Sequence, residues 1–233
     1  MASLISALQC NTWFTFSSVP SQIEDYYHLQ RPSHGDVNGV IDLLLNWGCI
    51  MAFPSIPFTA YILLLPIKGL KSAVTLSCCL VFAGNVIRCI PSILDSLSPD
   101  YELSDSLLST LIFLHFGQIL NAIAGVLIMS SPSKLSVIWF PEQERKFATG
   151  CLGIAGAMGN GFGFLCGPYL VSDADDVPLM LYLDALLALI PFVCVLCYFP
   201  NSPRLMPSRA ARDVPYLIPF RHESKGQNAM IQV

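Results

Sequence analysis

Residues 107–130 read LLSTLIFLHFGQILNAIAGVLIMS, a stretch that contains no Asp, Glu, Lys or Arg. An α-helix rises about 1.5 Å per residue, so about 20 apolar residues cross the roughly 30 Å hydrocarbon core of a bilayer. Lipid offers no hydrogen bonds to backbone N–H and C=O groups, and a helix satisfies these groups within one segment. The stretch therefore predicts a membrane-spanning helix.

Four more segments are long and apolar enough to span a bilayer. They comprise residues 40–65, 70–94, 147–171 and 179–199. Of the 233 residues, 54% are hydrophobic and 12% are charged, whereas about 25% of an ordinary soluble domain is charged. This composition predicts an all-α integral membrane protein with a bundle of five full transmembrane helices at residues 40–199.

The composition also argues against other classes of protein. A disordered chain combines low hydrophobicity with high net charge, and a nucleic-acid binder carries a basic stripe that this chain, with a net charge of −4, does not show. The nine cysteines lie mostly in apolar runs and are interpreted as small packing residues. No catalytic triad, paired carboxylates or phosphate loop stands out, so we predict no enzyme, cofactor or metal site.

The N-terminal segment is harder to interpret. Residues 1–19 are moderately apolar, but they include several polar side chains and lack the basic start of a secretory signal. We interpret them as the remnant of a first transmembrane helix whose beginning is absent. Residues 20–39 are expected to form a lumenal or extracellular loop.

The charges of the connecting segments predict the orientation of the helices. Ten of the 12 Lys and Arg residues fall in segments 66–71, 131–146 and 200–233. The alternate segments are acidic, and Arg31 is their one basic residue. The positive-inside rule places the basic set in the cytoplasm, with residues 200–233 as a flexible cytoplasmic tail, and the acidic set outside or in a lumen.

Polar residues recur every three positions in the segment 107–130, at His115, Gln118 and Asn121. Two interpretations remain open for them. They hydrogen-bond between helices, or they line a path for a solute or a proton. Histidine titrates near neutral pH, so His115 is the candidate for proton coupling.

Three ionisable residues lie nearer the predicted outer ends of the helices. Arg88 either reaches the lipid headgroups with its long side chain or pairs with another group at the helix end, or it belongs to a solute pathway. Asp42 and Asp184 are expected to be solvated residues at helix ends.

Small residues recur every four positions at Ala155, Gly159, Gly163 and Gly167. This spacing puts them on one face of a helix, where small residues allow two membrane helices to approach closely. The row predicts helix packing and gives no information about a substrate. Pro54 and Pro57 lie inside the segment 40–65, where proline removes a backbone hydrogen bond and kinks a helix.

Several short motifs resemble a known family. They are NTW at 11–13, NWG at 46–48, KGLK at 68–71 followed by RCIP at 88–91, and HFGQILNAIAG at 115–125 followed by WFPEQERKFAT at 139–149. Together they resemble the N-terminal half of solute carrier family 49, within the major facilitator superfamily, over about residues 8–200. The resemblance is most specific in the last pair of motifs.

The resemblance implies a transporter of two six-helix bundles that works by alternating access on a small organic solute. The most similar branch of the family exports pyridoxine from lysosomes with protons as the driving ion, and other members are choline and haem-linked transporters. The implied membrane is lysosomal or plasma. The implied solute-path residues are Gln118, Asn121, Asn46 and Trp13, and the implied cytoplasmic loop motif comprises Lys68, Gly69, Lys71, Glu144 and Arg145.

On this interpretation the chain is an incomplete N-terminal half of a transporter. It then needs a second half, or a second copy of itself, as a partner in the bilayer. The alternative hypothesis is a non-transporting interaction protein that regulates a full-length transporter, which it binds through the face from Ala155 to Gly167.

Overall fold

A computed structural model describes residues 1–29, 39–65, 68–97 and 107–200 of the chain. Within these ranges the fold is all-helical. The helices are α1 (Ala2–Ser18), α2 (Pro20–Tyr26), α3 (Gly39–Leu64), α4 (Gly69–Leu97), α5 (Leu107–Ser130), α6 (Pro132–Trp139), α7 (Arg145–Leu170) and α8 (Val177–Cys197), with a 3₁₀ turn at Ala174–Asp176 before α8. The predicted tail beyond Pro200, the residue Arg31 and the acidic segment at 98–106 lie outside the described residues.

Five helical segments of the described part are long and apolar enough to cross a membrane, and they contain α3, α4, α5, α7 and α8. The predicted fold class is thereby confirmed, and the helix ends lie within three residues of the predicted ones. The chain is an integral multi-pass membrane protein. The structure differs from the prediction at residues 20–39, where the expected loop begins with a helix because Pro20 suits the first turn of α2.

Helix α1 occupies the middle of the bundle. It has 17 residues, which corresponds to about 25 Å of helix and is short for a bilayer core. It packs along α7 and α5 and also contacts α3, α4 and α8. The other main contacts join α4 to α5, α4 to α8 and α3 to α5.

Two hydrophobic clusters close the bundle at opposite ends. The cluster at the acidic end, the end with α2 and the turn Ala174–Asp176, joins α1, α2, α3, α4, α5 and α8 through buried residues that include Phe16, Tyr27, Leu44, Leu114 and Leu181. The cluster at the basic end, the end with α6 and the start of α7, joins α1, α4, α5, α6, α7 and α8 and includes Ile5, Val74, Ile128, Leu152 and Val195. The polar residues of α1 lie between these two clusters.

The glycine face of α7 packs against α1 of the same chain. A Cβ atom at Gly159 would collide with the backbone of Ala7, and one at Gly163 would lie 3.0 Å from Oδ1 of Asn11. Gly167 faces Ser18 in the same way. Ala155 is only half-buried, and its neighbour Gly156 takes the position facing Ser6 and Cys10. The regulatory hypothesis needs this face to be free for another protein, and the structure contradicts that premise because α1 covers it.

A second close approach joins α4 to α5. A Cβ at Gly84 would lie 2.7 Å from the carbonyl oxygen of Gly117, and a Cβ at Gly117 would lie 2.6 Å from the carbonyl oxygen of Gly84. Each helix therefore needs a glycine where the other backbone touches it. This pair of glycines gives no signal in the sequence, because its members lie in separate helices and form no periodic row.

Candidate functional site

Trp13 of α1 lies directly on α3. A Cβ at Gly48 would overlap the indole ring, so the glycine leaves the space that Trp13 occupies. The indole N–H donates a hydrogen bond to the carbonyl oxygen of Leu45 at 3.3 Å. Two of the motifs of the sequence analysis, NTW and NWG, are thus in contact.

Trp47 of α3 is bonded to His115 of α5. Its indole N–H donates to Nδ1 of His115 at 2.9 Å, with the two rings edge to face at 69°. Because an indole nitrogen can only donate, Nδ1 has to be unprotonated, and the proton of the neutral imidazole lies on Nε2. A proton added at Nδ1 would break this bond between α3 and α5. Asn46, the residue before Trp47, is exposed.

Gln118 and Asn121 are buried and bonded to α1. Gln118 is 2% exposed, and its Nε2 donates to the carbonyl oxygen of Trp13 at 3.4 Å. Asn121 is 1% exposed and exchanges two 3.4 Å hydrogen bonds with Gln9, one from each side chain to the other residue's backbone. Oδ1 of Asn121 is buried without a hydrogen-bond partner. In this conformation both residues hold α5 to α1.

Arg88 is enclosed by the bundle, and the prediction that it reaches the headgroups is wrong. Its exposed fraction is 0%. Nη1 donates to the carbonyl oxygen of Thr12 at 3.2 Å, Nη2 donates to Oε1 of Gln118, and the guanidinium carbon lies 5.0 Å from the ring centroid of Phe16. These groups replace water at the two terminal nitrogens, whereas Nε is buried without a hydrogen-bond partner. Gly117 leaves the space for the side chain.

Asp184 is also buried, and its interpretation as a solvated helix-end residue is wrong. It is 8% exposed. Its Oδ1 accepts from Nδ2 of Asn11 at 2.9 Å, and its Oδ2 accepts from the hydroxyl of Thr15 at 2.6 Å. A signal was present in the sequence, because Asn11 and Thr15 are four residues apart and so share a face of α1. Asp42, in the first turn of α3, is exposed as expected.

Arg88 and Asp184 interact through the polar middle of α1. They are near enough for an electrostatic interaction, but among the described residues no ion pair within 4.0 Å joins them. Each instead binds residues of α1, the carbonyl oxygen of Thr12 for Arg88 and the side chains of Asn11 and Thr15 for Asp184. Asn85 of α4 adds a 3.3 Å hydrogen bond to the hydroxyl of Thr12.

The basic end of the bundle contains the predicted loop motif. Lys68 and Lys71 line a cavity of about 560 Å³, and Glu144 directly precedes α7. Nε of Arg145 donates to the carbonyl oxygen of Phe140 at 3.4 Å.

Lys134 of α6 caps the end of α3 and was missed by the sequence analysis. Its ammonium donates to the carbonyl oxygens of Leu63 and Leu65, the latter at 3.0 Å. Helix ends leave carbonyls unpaired, and a lysine there also favours the negative end of the helix dipole. Gly69 makes room for this contact, because a Cβ there would lie 2.9 Å from the ammonium nitrogen.

The membrane helices of this bundle enclose charged and polar side chains between them. Such an architecture is typical of membrane transport proteins. The family model described as Major Facilitator Superfamily matches residues 3–227. The chain belongs to this superfamily.

The resemblance to solute carrier family 49 is confirmed by curated relatives. The chain is 26% identical over 226 residues to a protein named solute carrier family 49 member 4 homolog from Xenopus tropicalis, over 90% of this chain and 45% of that protein. It is 30% identical over 188 residues to the protein of the same name from Xenopus laevis, over 73% of this chain and 38% of that protein. The chain thus spans less than half the length of these relatives, which are named as solute carriers and not as enzymes.

The fold is also that of a solved transporter. The xylose transporter XylE from E. coli, in a partially occluded inward-open conformation, superimposes with a TM-score of 0.70 at 17% identity. The match covers 93% of this chain and 52% of XylE. At this identity the similarity concerns the fold alone.

Proposed function

We propose that the chain is one bundle of a transporter that moves a small organic solute across a membrane by alternating access. The observations that carry the proposal are two contacts of α3, one of Gly48 and Leu45 with Trp13 of α1 and one of Trp47 with His115 of α5. They place two half-buried indoles and one half-buried imidazole on three neighbouring helices. Indoles bind flat or cationic solutes through their faces, and the imidazole responds to protons.

Proton-driven export of pyridoxine is the specific reaction we propose. Pyridoxine is a hydroxylated pyridine, so its ring can stack on an indole while its hydroxyl groups bond to amides. Asn46 offers an exposed amide, and Asn121 has a buried carbonyl oxygen without a hydrogen-bond partner that a rearrangement of the helices would open to the solute. A lysosomal membrane fits this reaction, because the lumen supplies the protons.

The proposed partner of this bundle is a second bundle of membrane helices. It comes from a further part of the protein, from a second copy of the chain or from another chain. Large apolar side chains of α3 and α7 are exposed, among them Phe53 at 80% and Leu165 at 78%. On the side of α7 away from α1, a Cβ at Gly153 or Gly161 would meet open space. With the exposed Ala157 these glycines form another row at four-residue spacing, which permits close packing of a second bundle.

Equilibrium binding of radiolabelled pyridoxine tests the site, with the protein expressed from its native gene and purified in nanodiscs. Loss of one stacked ring weakens binding by about tenfold, so Trp13→Ala and Trp47→Ala should each raise Kd by that factor. Trp139→Phe, at the basic end, is the matched control and should leave Kd unchanged. Equal Kd values in all variants would contradict the site, and the absence of pyridoxine binding beside saturable choline binding would contradict the solute.

A further inference from the structure

The proposed solute path makes no use of Asp184, although its carboxylate lies inside the bundle. A carboxylate in a membrane is costly unless it is paired and hydrogen-bonded, and such residues commonly mark functional sites. Asp184 has two hydrogen bonds, from Asn11 and Thr15, but no direct ion pair with Arg88. The carboxylate of Asp184 is therefore stabilised by hydrogen bonds and not by a salt bridge.

The hydroxyl of Thr15 has two acceptors and one hydrogen. Its oxygen lies 2.6 Å from Oδ2 of Asp184 and 3.2 Å from the carbonyl oxygen of Asn11. When Asp184 is ionised, the hydroxyl donates to Oδ2. When Oδ2 is protonated, the acid donates to the hydroxyl oxygen and the hydroxyl hydrogen turns to the carbonyl of Asn11. The amide of Asn11 donates to Oδ1 in both states, so either state of Asp184 is satisfied with no movement of heavy atoms.

A cavity connects this carboxylate to the surface of the bundle. It has a volume of about 270 Å³ and lies between α1, α7 and α8. Its lining is polar at Asp184, Asn11, Thr15 and Ser18 and otherwise mostly apolar. Tyr169, which also lines it, is 88% exposed. The volume suffices for several water molecules, each of which occupies about 30 Å³ in the liquid. Water in the polar part of the cavity would give a proton access to the carboxylate.

The electrostatic surroundings of Asp184 are dominated by one cation. Of the titratable groups on the packed helices, Arg88 and Cys89 of α4 interact with it, and Cys166 and Tyr169 of α7 line the same cavity. Thiols and phenols are neutral near pH 7, so among the described residues Arg88 is the charge that faces Asp184. Arg88 in turn binds Gln118, a candidate solute-path residue.

We propose that Asp184 is a proton-binding site, separate from His115, and that Arg88 links its charge to Gln118. A proton from water in the cavity forms an O–H bond at Oδ2, and the Thr15 hydrogen bond reverses. The guanidinium then loses its opposing charge and is balanced only by the oxygens of Gln118 and Thr12. The link to Gln118 rests on the proposed function, whereas proton binding at Asp184 stands independently of it.

Infrared difference spectroscopy on the purified protein in nanodiscs tests the proton site directly, because it needs no solute. As the pH is lowered from neutral into the mildly acidic range, the C=O stretching band of a buried carboxylic acid should appear. Asp184→Asn should lack this band, and Asp42→Asn, at an exposed carboxylate, should keep it. Thr15→Val keeps Asp184 but removes the hydroxyl that donates to its ionised carboxylate. Because the ionised form loses this hydrogen bond, the band should appear at a higher pH than in the wild-type protein.

A band that survives in Asp184→Asn, or no band in the wild-type protein, would overturn the proposal. If Asp184→Asn does not fold, the Thr15→Val variant decides whether Asp184 binds the proton. An unchanged C=O band with an unchanged pH midpoint in that variant would count against Asp184. A titrating Asp184 band together with the absence of solute binding would refute the proposed function alone. Solute binding without the band would refute the proton site alone.

Discussion

At the residue scale, Arg88 shows how a bundle can enclose a charge. Hydropathy and the position of Arg88 along its helix favour contact with the lipid headgroups, but they do not reveal which oxygens the neighbouring helices provide. The carbonyl of Thr12, the amide of Gln118 and the ring of Phe16 come from α1 and α5. The partners of Arg88 follow from the packing of three helices and could not be obtained from the segment that contains it.

Removal of Arg88 should destabilise the fold. Arg88→Met leaves Thr12 and Gln118 without their charged hydrogen-bond donor, and a hydrogen bond to a charged group contributes about 1.5–3 kcal/mol. Denaturant unfolding in mixed micelles, followed by helicity, should show this loss, whereas Lys146→Met at an exposed position should not. A stability of Arg88→Met equal to that of the control would show that these contacts do not stabilise the bundle.

His115 should report acidification through Trp47. Protonation of Nδ1 removes the acceptor of the indole N–H, so the fluorescence of Trp47 should change as the pH falls. Trp47→Phe removes that reporter and His115→Gln removes the titrating group, and each substitution should abolish the change. A fluorescence response to pH that persists in His115→Gln would show that another group is the one that titrates.

At the scale of the helices, the spans were predictable because length and hydropathy suffice to define them. The glycine row of α7 was also predictable as a packing face, but its partner was not, because small residues permit contact with any helix. The structure assigns Gly159, Gly163 and Gly167 to α1 and leaves Gly153 and Gly161 on the open side. Substitutions of Gly163 and of Gly161, two glycines of the same helix, are therefore expected to have different effects.

Gly163→Leu should destabilise the bundle, because the new side chain has to displace Asn11, and overpacking costs about 1–3 kcal/mol. Gly161→Leu projects into open space and should leave stability unchanged while it weakens association with a second bundle. Thermal unfolding and cross-linking, measured on both variants, separate the two effects. Equal stability of the two variants would contradict the α1–α7 contact.

At the scale of the whole molecule, the basic and acidic ends of the bundle predict its orientation in the membrane. Lys146 lies at the start of α7, and Asp175 lies in the turn before α8. In a cysteine-free background, a membrane-impermeant thiol reagent applied from the cytoplasmic side should label Lys146→Cys and not Asp175→Cys. The reverse labelling would invert the proposed topology.

The central claim is that this bundle takes part in proton-driven transport of a small organic solute. The most direct measurement is the flux of radiolabelled pyridoxine into proteoliposomes that contain the protein expressed from its native gene, with and without an imposed pH gradient. The account predicts a flux that the gradient drives and that Trp47→Ala strongly reduces. A flux no greater than that of protein-free liposomes under the same gradient would contradict it.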